Sequence, residues 1–194
     1  MLKTPDFHTD ILEAFQPIML NYHYIIAESG DFCVRLESRS ARIRISYDIL
    51  RGGEVSFGFS IKPNNEEYNL GEIYRELEVP GAGYCSSYFD SDYKGVISFV
   101  RATCDILLIY CKPVLLGDRE IFKSIELRST RESQIYTRKG QFTVIYSKAR
   151  EAWKNKQYLE YINMLEEYRE YLSESDSMKF EYASKKIAGV GKAD

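Results

Sequence analysis

Apolar residues recur at helical spacing near the start of the chain, where Phe7, Ile11, Leu12, Phe15 and Met19 form one stripe. Thr4 as cap, Pro5 at the first helical position and Asp6 in the first turn predict where this helix opens. It should end near Asn21, with Pro17 shortening or kinking it. From Tyr22 to Ile61 the period becomes two. Tyr22, Tyr24 and Ile26 alternate before Ser29-Gly30-Asp31, then Phe32, Val34 and Leu36 before Ser38-Arg39-Ser40. Ala41, Ile43, Ile45, Tyr47 and Ile49 follow, then Arg51-Gly52-Gly53, then Val55, Phe57, Phe59 and Ile61. Short turns between alternating runs predict a four-stranded antiparallel meander in sequential order. The opposite face, with Cys33, Arg35, Arg42, Arg44, Ser56, Gly58 and Ser60 among others, should meet water or a partner.

Pro63-Asn64-Asn65 ends the sheet, and a short helix is expected from Leu70 to Leu77. Residues 78 to 92 then read as a loop longer than most connections. From Gly95 to Leu116 the chain is at its most apolar, and Val96, Val100, Thr103, Cys104, Leu107, Leu108, Cys111 and Leu115 fit a buried central helix. Arg101, Asp105, Lys112 and Pro113 exclude it as a membrane span. Helices follow from Asp118 to Arg138, from Phe142 to Lys154 after a break at Gly140, and from Tyr158 to Leu172. Ser173, with Asp176 three residues on, caps a last one.

The expected class is therefore α+β: an N-terminal helix, a four-stranded antiparallel meander covered on one face by a long apolar helix, and a mostly helical C-terminal half. We read 1–194 as a single domain: helix plus sheet over 1–62, short helix and acidic aromatic loop over 63–92, helices over 93–188 and a frayed tail over 189–194.

At 194 residues with 44% hydrophobic and 28% charged, the chain can bury a core without metal or disulfides. The net charge of −3 disfavours nucleic acid and anionic membranes as partners. The N-terminus lacks the basic start and apolar run of a secretion signal, so a cytoplasmic location and reduced cysteines are expected. Cys104 and Cys111, about 10 Å apart along a helix, are too distant to pair.

Catalytic chemistry finds no foothold. His8 and His23 are the only histidines, and apart from the weak pair His8 with Asp10 neither has a Cys, Asp or Glu at chelating spacing, so no metal site is expected. No Gly-x-Ser-x-Gly elbow, Ser-x-x-Lys or Walker loop occurs, and Gly81-Ala82-Gly83 reads as a turn. No catalytic residue and no cofactor are assigned. Charge, however, is unevenly placed. Residues 63–92 hold seven acids and one base, 117–156 ten bases and five acids, and 157–176 six acids and one base. Such a mosaic either neutralises itself internally or prepares an acidic patch for a basic partner. The basic stretch, interleaved with Glu120, Glu126 and Glu132, reads as a solvated helix.

Sixteen tyrosines exceed the roughly six expected at ordinary usage. In the long loop, Tyr84, Tyr88, Phe89 and Tyr93 surround Asp90 and Asp92. Rings beside carboxylates suit a partner-binding tip, to which Glu166, Glu167 and Glu170 are added as candidates; alternatively, half of these rings fold back onto the sheet.

The order of elements, with Ala149, Trp153, Tyr158, Leu165 and Leu172 in the helical tail, resembles the layout of bacterial immunity proteins of polymorphic toxin systems. A tetratricopeptide reading of that tail fails because there is one unit, not three. The resemblance implies a non-catalytic, cytoplasmic inhibitor that covers the active surface of a basic toxin domain. Two other uses are expected alternatives: a small-ligand-binding protein or enzyme with its pocket between the sheet and the central helix, and a homodimer through the outer sheet face.

Overall fold

The computed structural model describes residues 6–81 and 87–190. Packing divides the chain into two compact units, Met1–Ser129 and Thr130–Asp194.

The first unit opens with α1 (Phe7–Tyr22), whose cap is Asp6 rather than Thr4; Thr4 and Pro5 lie outside the described residues. Asp6 accepts hydrogen bonds from Thr9 N at 3.2 Å, satisfying an amide that the first turn leaves unpaired, and from the Thr9 hydroxyl at 2.8 Å. The helix continues through Pro17 and closes on His23 in the left-handed conformation. Phe7, Ile11, Phe15 and Ile18 are buried.

The sheet follows as β1 (Ile25–Gly30), β2 (Cys33–Glu37), β3 (Ala41–Asp48) and β4 (Glu54–Ile61), antiparallel and in sequential order, as the alternation requires. Among the described residues it has six strands, not four. β5 (Tyr68–Asn69) and β6 (Ser87–Phe89) both pair with the outer edge of β4, at Gly58–Phe59 and at Glu54–Ser56. Neither short strand has enough alternation to be seen in a sequence. β1 also departs from expectation: every residue is exposed, including Ile26, and a bulge interrupts its pairing with β2 between Ile26 and Glu28. A bulged, charged edge resists pairing with another chain.

Val34, Leu36, Ile43, Ile45, Val55, Phe57 and Phe59 form the inner face. Two helices cover it rather than one. Phe15 of α1 stacks on Phe57 at 6.2 Å, and Phe99 of α3 (Tyr93–Tyr110) meets the same ring edge-on at 6.2 Å. Phe15 and Phe57 are buried and each contributes about 2 to 3 kcal/mol of transfer free energy, while Phe99 is partly buried. The apolar stretch expected as one helix is two, because Cys111 ends α3 and Pro113 opens α4 (Lys112–Leu116). Cys104 and Cys111 are buried free thiols, and burial pushes both up to about 12, so they pack as apolar side chains. In the chain between β5 and α3, α2 (Leu70–Glu76) is fixed by a capping box in which Asn69 and Glu72 bond each other's backbone amides.

Gly140 does not break the next helix. α5 runs from Arg119 to Lys154 without interruption, and nothing lies within 4 Å of where a β-carbon on Gly140 would be. In the second unit α5 is joined by α6 (Tyr158–Leu165), a 3-10 segment (Glu166–Tyr171) and α7 (Glu174–Val190) around Ala149, Ala152, Tyr161, Leu165, Phe180 and Ala183. Ser173 accepts from Asp176 N at 3.2 Å, as a cap should. No helix among the described residues is long and apolar enough to cross a membrane.

Candidate functional site

Three connections and one helix start meet at one end of the first unit. They are the β1–β2 turn at Asp31-Phe32, the β3–β4 turn at Ile49–Gly53, the β6–α3 connection at Asp90–Asp92, and Asp6–His8. The β3–β4 turn forms because Gly52 and Gly53 take positive φ (79° and 83°), while Asp48 Oδ1 accepts from Leu50 N at 2.9 Å and Arg51 N at 3.2 Å. This geometry pushes Leu50 outward until 97% of it is exposed. A side chain on Gly53 would overlap the Asp90 backbone, so glycine lets Asp90 N donate to Gly53 O at 3.3 Å. That bond ties the acidic connection to the sheet.

Exposed apolar side chains collect here. Phe32 (48% exposed), Ile49 (51%), Leu50 and Phe89 (58%) lie on adjoining turns and strand ends. Phe32 and Ile49, expected on the inner face, sit in turns and are only partly covered. These connections and the strand residues beside them carry Asp6, Asp31, Asp48, Glu54, Asp90 and Asp92, against Arg51 and Lys94. Arg51 is turned onto Asp48 and Glu54 at 3.6 and 3.9 Å. A cleft of about 510 Å³ opens among Asp6, Phe7, Asp31, Phe32, Tyr47 and Ile49.

Of the residues singled out from the sequence, Tyr84 lies outside the described residues. Tyr88 folds inward: it stacks on Phe99 at 4.3 Å, and its hydroxyl donates to Asp90 Oδ2 at 3.1 Å, which raises its pKa. Tyr93 does likewise, donating to Asp10 Oδ2 at 2.8 Å and meeting Tyr47 edge-on at 5.7 Å. Asp92 caps α3 by accepting from Lys94 N at 3.0 Å, and Asp90 Oδ1 accepts from Asp92 N at 2.8 Å. Phe89 alone of the described rings in this set points substantially to solvent. Glu166, Glu167 and Glu170 belong to the second unit. There Glu166 pairs with Arg169 at 3.2 Å and Glu170 with Arg138 at 3.4 Å, while the Glu167 carbonyl accepts from Arg138 Nη2 at 2.7 Å.

The outer sheet face is occupied by its own ion pairs. Arg44 reaches Glu67 at 2.8 Å, Arg42 reaches Glu37 at 3.1 Å and Arg35 reaches Glu28 at 2.7 Å; Lys62 also pairs with Glu37. Glu67 lies over Gly58, where any side chain would collide with its carboxylate. Between the sheet and α3 the space is filled by Val96, Val100, Cys104 and Leu107 with the rings of Phe57 and Phe99. Asp31, Phe32, Tyr47, Ile49 and Leu50 did not figure among the sequence-derived site residues. The available signal was Ile49-Leu50, an apolar pair running into a turn between Asp48 and Arg51-Gly52-Gly53. Among the described residues, no group of three His, Cys, Asp or Glu is placed to hold a metal ion.

Fold and site together define an α+β protein with an acidic, partly apolar end to its sheet unit. The chain matches no known protein family, no curated protein and no solved structure.

Proposed function

We propose that this protein acts by binding another protein at the acidic end of its sheet unit, with no bond made or broken. The observation that carries this reading is the exposure of Phe32, Ile49 and Leu50 on two neighbouring turns, with Phe89 exposed at the end of β6, on connections that carry more carboxylates than cations. Single exposed apolar residues are ordinary, whereas several at one end of a unit, among charges mainly of one sign, support a contact surface. Such a surface favours a basic partner, because complementary potential speeds association and fixes orientation. The concrete form of the proposal is a cytoplasmic immunity protein that neutralises a basic toxin domain; its support is this charge pattern together with the layout resemblance.

The test mixes the purified protein with a candidate basic nuclease toxin domain. Calorimetry should detect binding that weakens with salt, and Leu50→Lys with Phe89→Lys should reduce affinity about tenfold or more. Neither substitution removes a buried contact or a cap. Absence of binding, or binding indifferent to both substitutions, overturns the proposal. Leu50 and Phe89 are the probes because altering the Asp90 or Asp92 carboxylate unseats the start of α3.

A further inference from the structure

We infer that the cleft beside α1 is a receptor for an organic cation, a guanidinium or alkylammonium group such as an arginine or lysine side chain carries. The inference deepens the proposed function by naming the chemistry the end of the sheet would grip. Four observations lead to it. The cleft, at about 510 Å³, falls in the size range of small-ligand sites. Its wall is aromatic and aliphatic: Phe7 stacks on Tyr47 at 5.5 Å, Phe32 stands 6.5 Å from Tyr47 and tilted by 50°, and Ile49 closes one side. Its lining carries the carboxylates of Asp31 and of Asp6, which also caps α1, with the imidazole of His8 beside them, and no lysine or arginine is among the described residues lining it. Asp31 is exposed and has no hydrogen bond or ion pair among the described residues, so its charge is not neutralised internally.

This combination selects against other ligands. Among the described lining residues, an anion meets two carboxylates and no lysine or arginine. A metal ion would need several ligating groups close together, which the described residues do not supply. A neutral apolar ligand would leave the carboxylates partly desolvated. An organic cation satisfies both surfaces at once, since its carbon-bound charge is attracted to ring faces within about 6 Å and to carboxylates at the rim. Partial exposure of Phe32 leaves a ring accessible from solvent.

The cation could belong to a protein side chain or to a free amine, and two probes separate these sources. Blocked Gly-Arg-Gly peptide represents the first and agmatine the second, with blocked Gly-Glu-Gly as control. Amide chemical shifts of the intact protein are followed during titration at constant ionic strength. Saturable shifts at Gly30, Asp31, Phe32 and Ile49 are expected with the cations and not with the control. The tighter of the two cationic probes identifies the source. Asp31→Asn and Asp6→Asn should together weaken binding about fivefold or more, and Phe32→Ala should do the same. Asparagine is chosen at residue 6 because it still caps α1. If no cation gives saturable shifts at these residues, if the control matches them, or if the substitutions leave affinity intact, the inference is wrong. Failure of the toxin-domain experiment with successful cation binding would remove the protein-binding reading and leave this receptor standing; the reverse result would do the opposite.

Discussion

The Asp90 carboxylate occupies the space that a side chain at residue 95 would need. A β-carbon on Gly95 would overlap Asp90 Oδ2, while that carboxylate is already bonded to Tyr88 Oη at 3.1 Å and to Asp92 N at 2.8 Å. Gly95, in the first turn of α3, thus allows the acidic connection to fold down onto the helix start. Alanine here would gain up to about 1 kcal/mol of helix propensity. It would displace a carboxylate holding two hydrogen bonds, a loss of about 2 to 3 kcal/mol. Gly95→Ala should therefore lower stability by about 1 to 2 kcal/mol in urea unfolding; an increase would show that Asp90 moves freely.

Gly140 gives the opposite sign. It lies within α5 with open space around its α-carbon and no positive φ requirement. Gly140→Ala should raise helicity by circular dichroism and stabilise by about 0.5 to 1 kcal/mol. A decrease would mean that the helix does break there, as the residue type suggests.

Tyr93 and Asp10 join α3 to α1 across 83 residues of chain through one hydrogen bond of 2.8 Å. Burial, then this bond to Asp10, raises the phenol's pKa, so it stays protonated and donating throughout the ordinary range. Tyr93→Phe should cost about 1 to 2 kcal/mol. Thermal unfolding measures the loss, which should largely disappear in an Asp10→Ala background if the bond is its source.

In the second unit the informative group is Asp176. Burial alone would raise its pKa, but hydrogen bonds from Lys179 (2.8 Å), Ser173 (2.6 Å) and Tyr146 (2.6 Å), with the charge of Lys179, bring it from 3.8 down to about 2. A lowered folded-state value means stabilisation that is complete above about pH 4 and lost as pH falls toward 2. The amount is roughly 2 kcal/mol. Asp176→Asn should show that deficit at pH 7, and the gap to the unaltered protein should narrow steadily between pH 4 and pH 2. A deficit independent of pH would assign the loss to geometry alone.

The alternation from Val34 to Phe59 made the central strands and their order legible, because pleated backbone forces side chains to alternate faces wherever one face is buried. Ser173 and Asp176 announced the last helix through capping chemistry that needs only three residues. Tyr88 and Tyr93 were readable as an aromatic cluster beside carboxylates, yet their direction was not: whether a tyrosine turns outward depends on what waits inside, here Phe99 and Asp10. The same holds for Tyr24, whose ring is buried with its hydroxyl donating to Leu115 O at 3.0 Å. Much of the tyrosine excess is spent on internal contacts of this kind.

By itself the sequence determined the α+β class, the meander, the helical second half and the reduced, packing role of Cys104 and Cys111, since each follows from local periodicity, capping or burial of an apolar run. Only the tertiary structure decided the two extra strands on β4, the passage of α5 through Gly140, and the assembly of Asp6, Asp31, Phe32 and Ile49 around one cleft. Those features come from contacts between residues far apart in the chain, and local periodicity carries no record of which distant segments will meet.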